Sequence, residues 1–157
     1  LTFGITIASE AQLTEALLAS GLDRLVKKHP LGLDMPIREG GIGLSGGQRQ
    51  LVALTRLMLL KPLVWILDEP SSSLDRESES RVMAALRNLS PECTLIITTH
   101  QHHWLDLVNR VLIVEDGSLR RDTTPTVIRQ ALNESKAATN PPNGNVSSLA
   151  RSSGGGA

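Results

Sequence analysis

The chain has 157 residues, a length suited to one domain or to part of a larger one, and its 40% hydrophobic content is enough to build a core. Its 16 basic and 16 acidic residues balance to a net charge of +0, and aromatics make up 2%, so nothing points to nucleic acid, another polyanion or a base-stacking surface. The single cysteine, Cys93, excludes an internal disulfide and fits a reducing compartment, and no uninterrupted apolar run reaches the roughly 20 residues of a membrane-spanning helix.

The chain starts at Leu1 without a methionine or a signal-peptide pattern, and a fragment of a longer product is expected. Leu1 to Ile7 reads as a short extended or loop entry. Ser9-Glu10-Ala11-Gln12 is a capping box opening a helix with Leu13, Ala16 and Leu17 on one face, and Gly21 closes it. A second short helix over about Leu22 to Lys28 ends at His29-Pro30, and the glycines and proline between Gly32 and Gly43 make a loop. Ser45 is an N-cap before Gly46 and Gly47, whose bare backbone at a helix N-terminus is a seat for an anion such as a phosphate. Leu51, Leu54, Leu57 and Met58 recur at helical spacing, and Lys61-Pro62 stops the helix.

Leu63 to Leu67 is nearly continuously apolar, which predicts a strand covered on both faces, with Asp68 and Glu69 at its carboxyl end. Asp75 caps the next helix, whose stripe is Val82, Met83, Leu86 and Leu89. Thr94 to Thr99 is a second buried strand, with His100 at its carboxyl end, and Cys93 reads as a small hydrophobe beside it. Trp104 to Val108 suggests a short helix; Val111 to Val114 is a third strand, and Glu115-Asp116-Gly117 turns into Ser118 to Arg121. Thr124-Pro125 opens a last helix through about Leu132, and from Lys136 the Asn, Pro, Ser and Gly content predicts a disordered tail. The strand–helix–strand order implies right-handed βαβ units and a mostly parallel sheet.

The adjacent carboxylates suit paired work: one can hold Mg²⁺ through water while the other deprotonates an attacking water. His100 emerges on the same sheet edge. His102 and His103 beside it do not form a metal set, because no cysteine or acid completes the ligands at metal spacing.

Leu44-Ser45-Gly46-Gly47-Gln48 resembles the signature motif of ABC transporter ATPases, and Leu63 to Glu69 resembles their Walker B strand and catalytic acid. The resemblance covers Leu1 to about Ser135 and is nearest to exporters of the type I protein-secretion kind. It implies an α/β fold: a partial P-loop NTPase (RecA-like) core with a mostly parallel sheet, plus the ABC helical subdomain. Residues 1–43 would be the helical subdomain portion and loop, 44–135 the carboxyl-terminal part of the ATPase core, and 136–157 the tail. It implies ATP and Mg²⁺ as ligands: Asp68 for the magnesium, Glu69 as general base, and His100 as the switch histidine at the γ-phosphate. Ser45, Gly46, Gly47 and Gln48 would close on ATP held by a partner subunit, and Ser73-Leu74-Asp75 resembles the D-loop that crosses that interface. Glu39 resembles an acid used near the membrane-domain contact, although Arg38 departs from the small residue usual there.

The implied partners are a second ABC ATPase domain, head to tail, and transmembrane domains, fused or separate, at the cytoplasmic face of the inner membrane. The alternative is a soluble, non-transport ABC protein acting as a binding module. No G-x-x-x-x-G-K-[ST] occurs in the chain, so the phosphate cradle of a P-loop is not written in it. In the family fold the P-loop strand is expected between the strands ending at Glu69 and His100. Without that strand, the 157 residues alone are expected neither to hydrolyse ATP nor to fold stably.

Overall fold

The computed structural model describes residues 9–139, with side chains through residue 135. The expected entry over Leu1 to Ile7 and the tail beyond Thr139 lie outside the described residues. Two compact units divide after Asn109.

In the first unit, local signals placed the helices. The Ser9 hydroxyl accepts from the Gln12 N–H and the Gln12 side chain accepts from the Ser9 N–H, opening α1 (Glu10–Ser20). Gly21 closes α1 at φ 82°, a left-handed conformation that costs a glycine nothing. Helix α2 (Asp23–Lys28) presents Leu25 and Val26 to the core, and Lys27 at 2.9 Å partners the buried Asp23, whose other carboxylate oxygen lies 3.7 Å from Arg81. Helix α3 (Gly46–Leu60) ends at Lys61, which takes a positive φ of 47° and donates to the Leu57 carbonyl at 3.0 Å. Helix α4 (Arg76–Arg87) is capped by Asp75, whose carboxylate accepts from the Ser78 N–H at 2.8 Å.

That cap carries a testable effect. The Ser78 N–H holds the Asp75 carboxyl below its ordinary value of 3.8; burial opposes this, and the Ser78 hydroxyl, the Glu77 N–H and Arg24 add to the lowering. A depressed carboxyl pKa stabilises the fold above 3.8, and the contribution disappears as pH falls through the lowered value. Asp75→Ala is expected to destabilise α4 by about 0.5–2 kcal/mol near neutral pH, read as faster hydrogen exchange of the α4 amides. The difference should vanish in strong acid.

The core of this unit gathers Leu17, Leu22, Leu51, Leu54, Trp65, Leu67, Val82, Met83, Leu86 and Trp104. Within it, the fully buried Ser20 and Thr55 hydroxyls lie 2.7 Å apart, so neither is left unpaired between α1 and α3. The expected apolar stripes of α3 and α4 face this core.

Strands β1 (Val64–Asp68) and β2 (Thr94–Thr98) pair in parallel, Val64 opposite Thr94 through Asp68 opposite Thr98. Two expectations are overturned here. No strand lies between β1 and β2; their facing edges satisfy one another directly, and the Glu69 N–H extends the ladder to the Thr98 carbonyl at 2.9 Å. Nor is either strand covered on both faces. Trp65 and Leu67 point into the core, whereas Ile66 is 70% exposed, with Val64 and Ile96 beside it also exposed. Helices pack on one face, and no second layer covers the other among the described residues. Among the described residues the sheet has two strands, so each keeps one unpaired outer edge in addition to this exposed apolar face.

After β2 comes a short 3₁₀ turn, His102–Asp106, where a helix of 104–108 was expected. Trp104 from this turn is 1% exposed.

In the second unit, β3 (Val111–Glu115) pairs antiparallel with β4 (Ser118–Thr123), with a bulge between Ile113 and Val114. The hairpin expected at Glu115-Asp116-Gly117 forms, with β3 and β4 making a two-stranded sheet of their own. Asp116 and Gly117 both take positive φ, 50° and 71°, the requirement of the tight turn expected from their sequence. Arg110 grips Asp122 across the hairpin with 2.9 and 2.5 Å contacts. Helix α5 runs over Pro125–Thr139, past the expected end near Leu132 and through the first residues assigned to the tail. The fold is mixed α/β with a parallel strand pair, as expected.

Candidate functional site

The parallel register brings the ends of β1 and β2 to one edge, so the three groups singled out there converge. His100 Nδ1 lies 2.9 Å from Glu69 Oε1, and the Thr98 hydroxyl donates to Asp68 Oδ1. Asp68 is exposed and Glu69 half-buried. Glu69 leaves the strand at a positive φ of 42°, a conformation rare outside glycine, which turns the chain sharply after the acid pair. Such a residue persists only where its surroundings hold it. Here the Thr98 carbonyl takes its N–H, and its own carbonyl accepts from Gln50 Nε2 at 2.9 Å and from the Ser72 N–H at 3.1 Å.

The donor set fits Mg²⁺ without forming a cage for it. No group of three or more His, Cys, Asp or Glu side chains gathers among the described residues. A hard carboxylate beside a hydroxyl is what Mg²⁺ uses when waters and substrate phosphates complete its octahedron, and Asp68 with Thr98 supplies that pair. His103 does not join His100: its Nε2 lies 2.8 Å from Glu79 Oε1 on α4.

The Ser45–Gln48 turn is built as a second capping box, with the Gln48 N–H 3.2 Å from the Ser45 hydroxyl and the Ser45 N–H 2.8 Å from Gln48 Oε1. The Ser-to-Gln spacing of this box is that of the Ser9 box. The box leaves the Gly46 and Gly47 N–H groups at the positive end of the α3 dipole without a protein acceptor among the described residues. The glycines also have a role within this chain. A Cβ on Gly47 would lie 2.4 Å from the Ser73 carbonyl oxygen, so bare backbone there lets α3 lie against the 71–75 turn. Asp75 sits at the end of that turn, engaged as the α4 cap. Glu39 is exposed on a 3₁₀ turn, Glu39–Gly41.

Two features escaped the sequence reading. Gln50 bonds the Glu69 carbonyl with Nε2 and accepts the Ser73 N–H at 3.3 Å with Oε1; as a polar residue off the apolar stripe, it carried no local signal. By spacing alone Trp104 belongs to the apolar side of a short helix. Its indole N–H lies 3.2 Å from the Ser71 hydroxyl and 3.3 Å from Glu79 Oε1, and Ser71 donates to Gln101 at 3.2 Å. Burial pushes the Glu79 carboxyl up, but the Ser71 hydroxyl, His103 and the indole together hold it below the ordinary value. The segment after His100 is thereby tied to the turn after Glu69.

Residues 6–72 match the ABC transporter family. An ATP-dependent lipid A-core flippase of Neisseria meningitidis serogroup A is 41% identical over 112 residues, which are 71% of this chain and 18% of that protein. ABC transporter B family member 13 of Arabidopsis thaliana is 37% identical over 113 residues, 72% of this chain and 9% of that protein. The chain thus spans less than a fifth of the length of either relative. A solved bacterial Atm1-family ABC exporter with ATP bound superposes with a TM-score of 0.75 at 22% identity, over 92% of this chain and 26% of that one. That likeness supports the fold alone.

Proposed function

We infer, because the family match and the exporter relatives support an ABC-type ATPase domain in this chain, that the protein containing it hydrolyses ATP to drive export across a membrane. The observation that carries the reading is the meeting of Asp68, Glu69 and His100 at one sheet edge, beside a turn held by α3.

In this reading Glu69 takes the proton of a water attacking the γ-phosphate of ATP, and His100, in contact with Glu69, contacts the same phosphate. Asp68 would hold Mg²⁺ through water, and the ion would supply positive charge beside the transferred phosphoryl group. The phosphate cradle for this site is supplied from outside the 157 residues, so the chain alone does not turn over ATP. Ser45, Gly46, Gly47 and Gln48, with Asp75 on the adjoining turn, serve ATP held by a second ATPase domain paired head to tail. Glu39 lies toward the transmembrane partners, and the ATPase works at the cytoplasmic face of the membrane. Among the described residues no helix is long and apolar enough to cross a membrane, so in this reading the spans belong to other parts of the protein or to other subunits.

The type I secretion assignment is the finer part of the proposal. The relatives named above are a lipid A-core flippase and a plant B-family transporter, so cargo is left to the membrane domains. A soluble, non-transport ABC protein is not favoured by exporter relatives.

The test is Mg²⁺-dependent ATP turnover by the full-length protein in lipid vesicles. Removing Mg²⁺ with a chelator is expected to stop hydrolysis, and restoring it to recover the full rate. Hydrolysis that is absent with Mg²⁺, or indifferent to its removal, overturns the reading.

A further inference from the structure

We propose that Gln50 is a positioning residue that ties the anion-facing end of α3 to the catalytic acid, so that the two half-sites carried by one chain move together. The proposal rests on the reading of Glu69 as the general base. Its ground is one side chain with two backbone partners in the 69–73 turn: Nε2 donates to the Glu69 carbonyl at 2.9 Å, and Oε1 accepts the Ser73 N–H at 3.3 Å. Gln50 is half-buried and lies just over one turn beyond the Ser45 cap.

The Glu69 carbonyl belongs to a residue held at a positive φ of 42°, with its N–H already taken by Thr98; the carbonyl bond restrains the following peptide unit, on the other side of the same Cα. A side-chain carboxylate swings on its backbone, so the carbonyl bond helps set where the carboxylate meets His100. Ser73 N–H belongs to the residue whose carbonyl oxygen lies under Gly47. A shift of α3's first turns on closing over a partner's nucleotide therefore pulls on Glu69 and on the turn leading to Asp75 through a single amide. An isosteric apolar side chain breaks both bonds and leaves the helix intact.

The test uses the full-length protein with Mg²⁺ and ATP. Gln50→Leu is expected to lower kcat at least about tenfold with KM for ATP within about twofold, since it misplaces the base without touching a nucleotide contact. Gln50→Glu keeps the shape and the acceptor for Ser73 but faces the Glu69 carbonyl with a carboxylate. Its kcat relative to wild type is expected to begin to recover as pH falls from about 8 to about 5, because half-burial against the Glu69 carbonyl raises the carboxyl above its ordinary value of about 4.3 and the protonated form donates to that carbonyl again. In a Glu69→Gln background, Gln50→Leu should add no further loss. If Gln50→Leu does not fold, the pH profile of Gln50→Glu decides alone. If wild type turns over ATP, Glu69→Gln does not, and both Gln50 variants stay within twofold of wild type, this proposal fails and the function stands. A Gln50→Glu loss that is equal at all pH values also overturns it. If wild type itself shows no turnover, the functional reading fails first.

Discussion

Glu69→Gln in the full-length protein is expected to lower ATP turnover by at least about 100-fold while ATP still binds and the ATP-bound pair of subunits accumulates. The substitution is nearly isosteric, and its structural cost is small for a specific reason. The contacts that hold residue 69 in its left-handed turn, from Thr98, Gln50 and Ser72, are all made to its main chain. The side chain is half-buried at a strand end, and an amide can still meet His100. What the amide cannot do is accept a proton from water. A loss of rate with retained fold and retained nucleotide binding therefore isolates the chemistry. Unchanged hydrolysis would remove Glu69 from the reaction and leave it a turn residue.

Gly47→Ala is expected to destabilise the contact between α3 and the 71–75 turn by about 1–3 kcal/mol and to abolish most turnover. Alanine in a helix is ordinarily the better residue by about 0.8–1 kcal/mol, so propensity alone predicts the opposite sign. Sterics decide it: the added methyl falls 2.4 Å from the Ser73 carbonyl oxygen, a backbone atom that cannot rotate aside. Moving it strains the Ser73 N–H bond to Gln50 and the approach to the Asp75 cap. Gly46→Ala is the control for stability, because its methyl would meet the Ser73 hydroxyl at 3.3 Å, and a hydroxyl can turn away. Hydrogen exchange over α3 and residues 69–76 measures both. A Gly47→Ala protein protected like wild type but inactive would show that Gly47 serves only an external ligand, and one both protected and active would remove both roles.

That contrast shows how far the sequence reached. Caps and stops were legible wherever the physics spans a few residues: Ser9, Ser45 and Asp75 each hold an N–H three residues on, and Asp116-Gly117 makes its turn unaided. The convergence of Asp68, Glu69 and His100 was also legible, since consecutive parallel strands deliver their carboxyl ends to one edge. Missed features depended on which elements meet. Val64 and Ile66 are as apolar as Trp65 and Leu67, so an apolar run could not report that a single helical layer covers the pair. The fold-back of β3 on β4 was legible in the Asp116-Gly117 turn, but its apolar run could not say that the pair would form a sheet of its own.

The Ser45–Pro70 stretch sharpens the division. By itself the sequence determined a capped helix with bare glycines at its start and an acid pair at a strand end, because those are set by side chains within one turn or one strand. Only the tertiary structure decided that the glycine turn rests on the backbone after the acids and that Gln50 joins the two. Contacts of 19 and 23 residues' separation leave no periodicity in the chain; they exist because packing on a shared core brings α3 over the end of β1.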